Sequence, residues 1–242
     1  MRSSPVLRSH VFRMFAGLSA AVAAALMLSA ESRSEDPAPA VTVDKDKKAV
    51  VVEAVIAPRE VLKDGDGKFQ IYPIEVFATH TKAAGAQKAH ETVINVTAKP
   101  SEVHKGLESL GLKPGKPGFV GRAKPAGPEV KMSLEFEKDG KTVRIPAEDA
   151  VIQVKAGKPL SAVPGFKWLF TGSQMTMPDP EKDDLAYGAD FTKTLIGIFP
   201  VTNEVVIQSN QEEGAGEKLE VNKAVVPPIG TKVKLIIEPA GK

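Results

Sequence analysis

Polar and apolar residues alternate most regularly between Glu129 and Glu137. The apolar side chains that would share one face are Val130, Met132, Leu134 and Phe136. Alternation with a period of two is typical of an antiparallel strand that buries one face and exposes the other. Asp139-Gly140 follows as a turn signal, so we predict a hairpin whose second strand covers residues 142–145.

Most other apolar segments also have the length and β-branched composition of strands. Residues 49–57 are almost continuously apolar, as in a central strand, and residues 69–78 would follow them across a Gly-Asp turn to form a hairpin. Pro73 would place the second of these strands near a sheet edge. Further strands are predicted at residues 91–97, 150–154, 166–171, 195–199, 203–208 and 232–238.

One segment has helical spacing. Pro100 suits a first helical turn, and Val103, Leu107 and Leu110 recur at the spacing of a single apolar stripe. Gly111 is a typical residue for the end of such a helix. The predicted fold class is therefore α+β, a mainly antiparallel β-sheet with one short helix packed on it.

The N-terminal residues have the features of a targeting segment. Arg2, Arg8 and Arg13 precede an uncharged Ala- and Leu-rich run that ends at Ala30. We predict a secretory signal peptide at 1–30, with an uncleaved anchor as the alternative. Residues 31–48 are rich in Pro, Ala and charge, which predicts a disordered tether before a single domain at 49–242. The expected location is periplasmic or secreted, with no membrane span after cleavage.

Charge and cysteine content exclude several classes of function. The chain has 32 basic and 30 acidic residues, and loss of three arginines with the signal peptide leaves no basic excess to attract nucleic acid. It has no cysteine, which excludes a lipoprotein anchor, disulfides, iron–sulfur clusters and thiolate zinc sites.

Several short motifs occur in an order that resembles the YdjY domain, a family of exported proteins of planctomycete-like bacteria. The motifs lie at Ile74–Ala78, His90–Glu91, Ala98–His104, Leu110–Pro117, Val143–Asp149, Trp168–Ser173 and Tyr187–Asp190. The resemblance covers about residues 50–210 and implies export. Some relatives carry ferredoxin-type cysteine motifs, but this chain has no cysteine, so the resemblance implies no redox role here.

Two of the four histidines suggest a metal site. His90, Glu91 and His104 offer ligands that suit a divalent metal such as zinc, and such a site would support hydrolysis. They would have to converge, although strand geometry directs His90 and Glu91 to opposite faces and an antiparallel helix leaves His104 far along the strand. The alternative is structural: His104 lies between helix and sheet with a backbone hydrogen bond, and His90-Glu91 fixes the start of the strand.

Two loops offer surfaces for binding. Lys113 and Lys116 lie in a Pro- and Gly-rich loop that would suit an anionic partner, such as an envelope protein or a cell-wall polymer, unless the loop serves to cover a sheet edge. Residues 179–184 form an acidic loop, which we interpret as a solvated insertion, with calcium binding as the alternative.

Together these features predict an exported, non-catalytic binding or interaction module of the bacterial envelope that needs no cofactor. The competing hypothesis is a metal-binding, hydrolytic protein that uses the His/Glu set. The sequence specifies no oligomeric state.

Overall fold

Short strands account for most of the regular structure. The computed structural model describes residues 39–59, 61–63, 65–212 and 218–241. Its strands are β1 Val41–Asp44, β2 Ala49–Ile56, β3 Val61–Lys63, β4 Phe69–Ile71, β5 Val76–Thr79, β6 Ile94–Val96, β7 Glu129–Lys138, β8 Lys141–Pro146, β9 Val151–Gln153, β10 Lys158–Pro159, β11 Trp168–Phe170, β12 Met175–Thr176, β13 Ala186–Tyr187, β14 Thr194–Gly197, β15 Ile207–Ser209, β16 Leu219–Val221 and β17 Lys232–Pro239. The α-helices are α1 Pro100–Ser109 and α2 Gly188–Thr192, and single 3₁₀ turns lie at Lys82–Ala84, Ala89–Glu91, Ala147–Ala150 and Leu160–Ala162.

Eight strands close into a barrel. They follow the order β2, β17, β7, β11, β15, β14, β5 and β6, and β6 then pairs with β2. The pairs β14–β15 and β5–β6 are parallel, and the other pairs of the ring are antiparallel. The predicted β-rich fold with a short helix is therefore confirmed. The prediction of a mainly antiparallel sheet is correct only in part, because the sheet closes into a barrel and contains two parallel pairs.

Two long strands of the barrel, β2 and β7, change partners along their length. The first half of β2 pairs with β1, and its second half, Ala54–Ile56, pairs with β6. Strand β7 pairs with β11 at its start and with β8 from Ser133 onward. These exchanges let β1 and β8 extend the sheet outside the closed ring. The remaining strands form a three-stranded sheet, β10-β9-β16, and the hairpins β12–β13 and β3–β4.

The core follows the predicted apolar pattern. The four apolar side chains of β7 are buried, as the alternation predicted. Helix α1 begins at Pro100 and contacts β1 and β2, and a methyl group added at Gly106 would lie 3.2 Å from Val50. Gly111 has a positive φ of 89°, as expected just beyond a helix end. The buried residues form one continuous hydrophobic cluster.

The tether prediction is wrong for its second half. Residues 41–48 form β1 and a turn, because Val41 and Val43 pack on the core and β1 pairs with β2. The charged run that follows β1 is the turn itself, in which Asp44 accepts a hydrogen bond from the Lys47 amide at 2.9 Å. The predicted signal peptide at 1–30 and the tether residues 31–38 lie outside the described residues.

The predicted hairpin between residues 49–57 and 69–78 is also wrong. Strand β4 pairs with β3, whereas β5 belongs to the barrel. The two are separated by residues 72–75, where the amide of Ile74 donates to Leu219 and the amide of Glu75 donates to Glu91. Pro73 lies in this interruption, in keeping with the exclusion of proline from central strands.

Within the described ranges, no helix has both the length and the apolar character needed to cross a membrane.

Candidate functional site

An apolar pocket lies where the end of β2 and the β7–β8 turn face the loop at residues 222–231. Its volume is about 520 Å³. Its apolar walls include Ile56, Phe136, Val221, Val225, Val226 and Ile229. A pocket of this size with mostly apolar walls is the usual form of a site for a small ligand.

The loop that forms one wall is fixed by local hydrogen bonds. The Asn222 side chain donates to the Asp149 carbonyl at 2.9 Å, and the Asn222 carbonyl accepts from the amides of Val225 and Val226. Gly230 donates to the carbonyl of Ile56, which joins the loop to the end of β2. These bonds hold the loop in place although Val225 and Ile229 remain 37% and 62% exposed.

Arg59 lies between the pocket and a cluster of charged residues. Its side chain is 9% exposed, and its Nε donates to Glu220 at 2.8 Å. One terminal nitrogen donates to the His90 carbonyl at 2.6 Å, and the other donates to the Tyr72 carbonyl. Because these bonds occupy the guanidinium, Arg59 acts as a structural wall of the pocket and links it to the segment at His90.

The charged cluster contains Glu75, Lys88, His90 and Glu91. Lys88 Nζ lies 2.6 Å from Glu75 Oε2 and 2.8 Å from Glu91 Oε2. His90 Nε2 lies 3.0 Å from Glu91 Oε1. The Glu91 side chain is 8% exposed, whereas those of Glu75 and Lys88 are about one-third exposed. The cluster therefore gathers two carboxylates around one ammonium group at the start of β6.

The two carboxyl groups differ in their affinity for a proton. Burial, helped by the hydrogen bond and charge of Glu75, raises the pKa of Glu91 above its ordinary value. Burial acts in the same direction on Glu75, but hydrogen bonds from Lys88 and Glu91 outweigh it and lower the pKa of Glu75. Of the two carboxyl groups, Glu91 therefore binds a proton more readily than Glu75.

His104 lies in a different environment. Its Nδ1 is 2.6 Å from the Tyr187 hydroxyl, its Nε2 is 3.4 Å from Glu108, and its ring packs edge-on against Phe170. Burial raises the pKa of Tyr187, so its hydroxyl stays protonated. His104 thus lies between helix and sheet, as the structural alternative predicted, but its partner is a tyrosine hydroxyl rather than the backbone.

The proposed metal ligands are not brought together. The contacts of His104 include none of those made by His90 and Glu91. Across the described part of the chain, no group of three or more His, Asp or Glu side chains has a geometry that could hold a metal ion. His90 and Glu91 instead belong to the charged cluster. Of its other members, Lys88 alone had a sequence signal, a spacing of three residues from Glu91.

The Lys113 and Lys116 side chains are exposed, as predicted for a contact loop. The backbone of the same loop is tied to the barrel. Gly115 donates to the Phe170 carbonyl at 3.0 Å, and Lys116 exchanges two hydrogen bonds with Ala126. The loop therefore covers the end of β11 with its backbone while presenting two cations to solvent.

Comparison with known families agrees with the resemblance seen in the motifs. The family model of the YdjY domain matches residues 41–238, from β1 to β17. No curated protein and no solved structure gives a significant match. The matched range includes the barrel, the pocket and the charged cluster, and the chain therefore belongs to the YdjY domain family.

Proposed function

We propose that this protein is an exported, non-catalytic binding module of the bacterial envelope and that the apolar pocket is its ligand site. The observation that carries the proposal is the pocket itself, about 520 Å³ in volume and walled by apolar side chains. Burial of ligand surface against such walls stabilises a complex by roughly 25 cal/mol per Å² before the costs of association.

The polar groups around the pocket favour binding over chemistry. Arg59 is occupied by Glu220 and two carbonyl groups, so it is not free to bind a reacting group. Glu137 accepts a hydrogen bond from the Thr142 hydroxyl at 2.5 Å. Lys138 and Lys223 line the pocket, are exposed, and form no ion pair with any described residue. A ligand with an apolar body and an anionic end, supplied by an envelope protein or a cell-wall polymer, suits this arrangement.

Titration with 1-anilinonaphthalene-8-sulfonate tests the proposal, because this fluorescent probe has apolar rings and an anionic group. We expect saturable binding to the native protein and binding at least about tenfold weaker in Ile229→Asp, since the new carboxylate would lose hydration inside an occupied pocket. Ile229 is 62% exposed in the free protein, so the substitution should leave the fold intact.

The control is Ile71→Asp, the same change at a side chain that is 50% exposed and does not line the pocket. It should bind the probe like the native protein. Absence of saturable binding, or equal weakening in both variants, would refute the assignment of the pocket.

A further inference from the structure

Exposed apolar side chains are concentrated on the β12–β13 hairpin and the helix after it. Among the described residues, nine large apolar side chains are classed as exposed, and four belong to this region. They are Met175, Met177, Leu185 and Phe191, which are 47%, 44%, 59% and 48% exposed. We call these four residues the hairpin patch. Clustered exposure of this kind marks interaction surfaces, whereas single exposed apolar residues do not.

The hairpin geometry places three of these side chains in one row. In the β12–β13 ladder Met175 lies opposite Tyr187, and Thr176 lies opposite Ala186. Alternation along each strand directs Met175 and Met177 to the same face, together with Leu185 and Tyr187. Phe191 lies on α2, which contacts both strands.

This row is anchored at one end. Tyr187 hydrogen-bonds His104 at 2.6 Å and accepts from the Ser173 amide at 3.2 Å. The Ser173 hydroxyl in turn accepts from the Ala189 amide at 2.9 Å, which fixes the start of α2. The patch is therefore presented by an anchored hairpin and not by a loose loop, which lowers the entropic cost of binding.

The tip of the hairpin supplies negative charge beside the patch. Residues 178–184 contain four acidic side chains and one lysine. Lys182 pairs with Asp179 at 2.9 Å, while Glu181, Asp183 and Asp184 are exposed and form no side-chain ion pair with any described residue. An apolar surface beside an unpaired negative charge is complementary to a partner that is both apolar and cationic.

We infer that the hairpin patch is a docking surface for a cationic, amphipathic segment of another protein. Its apolar residues would cover Leu185, Phe191 and the two methionines, and its basic residues would face Asp183 and Asp184. Methionine suits such a surface because its flexible side chain adapts to different partners. An anionic lipid surface is disfavoured, because the acidic tip would repel it. This surface is separate from the residues that line the pocket.

A synthetic amphipathic peptide of leucine and lysine at helical spacing is the probe, compared with a peptide of leucine and glutamate. Fluorescence anisotropy with the whole protein should show saturable binding of the lysine peptide and at least about tenfold weaker binding of the glutamate peptide. Leu185→Ser should weaken binding of the lysine peptide about tenfold, because it removes an apolar contact. The double variant Asp183→Asn, Asp184→Asn should weaken it a few-fold and reduce its dependence on salt.

The control is Val154→Ser, because Val154 is 54% exposed and directly follows β9, outside the patch. It should leave binding unchanged, and the circular dichroism of every variant should match the native protein.

The inference would be overturned if the glutamate peptide bound equally well or if Leu185→Ser had no effect. It would also be overturned if sedimentation showed a self-associated species that Leu185→Ser dissolves, because the occupant would then be a second copy of the chain. Saturable binding to phosphatidylglycerol vesicles that Leu185→Ser abolishes would overturn it in favour of a lipid surface.

Discussion

The Glu91 side chain is almost completely removed from water, yet it is surrounded by charge. Burial and the neighbouring Glu75 favour its protonated form, whereas Lys88 favours its ionised form. The net result is a raised pKa. A carboxyl group with a raised pKa stabilises the fold fully at low pH, and this contribution is lost as pH rises through the folded-state pKa.

Substitution of Glu91 by Gln should therefore change how stability depends on pH. The amide stays neutral and can still donate to Glu75, so the variant should gain stability relative to the native protein as pH rises above about 4.5, the ordinary pKa of the group. The free energy of unfolding in urea, measured from about pH 4 to pH 8, reports the difference. A difference that stays constant over this range would contradict the prediction.

Glu75→Gln is the matched control, because the pKa of Glu75 is shifted in the opposite direction. A lowered pKa contributes stability above the ordinary value and loses it as pH falls through the folded-state pKa. The native protein should therefore be more stable than Glu75→Gln at neutral pH, and the difference should shrink in acid. If the difference in unfolding free energy between variant and native protein changed in the same direction with pH for both substitutions, the two pKa values would not be shifted in opposite directions.

Gly115 has no room for a side chain. A Cβ at this position would lie 1.9 Å from the Ala126 carbonyl oxygen and 2.4 Å from the Gly127 Cα, and both are backbone atoms that cannot rotate away. Gly115→Ala should therefore destabilise the protein by about 1–3 kcal/mol. Urea denaturation gives the change, and Gly65→Ala, where nothing lies within 4 Å of the new methyl group, should stay within about 0.5 kcal/mol. Equal stability of the two variants would refute the packing argument.

Sequence analysis identified two of the four residues of the charged cluster, and it missed Arg59, which contacts the cluster. His90 and Glu91 are adjacent and chemically conspicuous, so they were identified as candidates. Arg59 was not identified, because its ionic partner Glu220 is 161 residues away. Glu75 was missed because it lies in an apolar motif and comes into place through a backbone bond to residue 91. Interactions over such separations leave no local pattern to read.

At the scale of elements, the predicted strands and helix were correct where the segment showed one clear pattern of apolar residues. The alternation at β7, the turn into β8 and the boundaries of α1 are all confirmed. The prediction failed at β1, where two valines beside a charged turn were assigned to a tether. It failed again at β5, which was merged with β4 across Pro73. In both places the strand is only four residues long and depends on partners elsewhere in the chain.

Removal of β1 tests whether this strand belongs to the domain. A protein beginning at residue 49 should be less stable than one beginning at residue 39 by roughly 2 kcal/mol, because two half-buried valines and a four-residue ladder are lost. The midpoints and slopes of urea unfolding for the two forms measure the difference. Equal stability of the two forms would show that β1 contributes little to the stability of the domain.

At the scale of the whole molecule, closure of the barrel could not be inferred from sequence. The closing pair joins Ala54 to Val96, and one of the two parallel pairs joins Ile196 to Ile207. Neither is a simple hairpin. The apolar periodicity of a strand indicates which face is buried, but it does not specify the neighbouring strand. The α+β class followed from the elements, while the topology required the long-range pairing.

The proposed export gives a testable prediction for the sequence that includes residues 1–30. When the full sequence is produced in a Gram-negative host, the periplasmic protein should begin at Glu31, because small residues precede the predicted cleavage site at Ala30. Intact mass spectrometry of the periplasmic fraction measures this. Ala30→Arg should block processing and retain Met1. Recovery of the unvaried chain with residues 1–30 still attached would instead favour an uncleaved anchor.

The position of β17 in the barrel has a consequence for biosynthesis. This strand lies between β2 and β7, although β2 begins at residue 49 and β17 ends at residue 239. Strand β2 is synthesised long before β17. During this interval the edge of β2 that later pairs with β17 has no hydrogen-bonding partner from that strand. Until residues 232–239 are available, that edge of β2 can pair with other chains, so we expect the unfinished protein to aggregate more readily than the folded one.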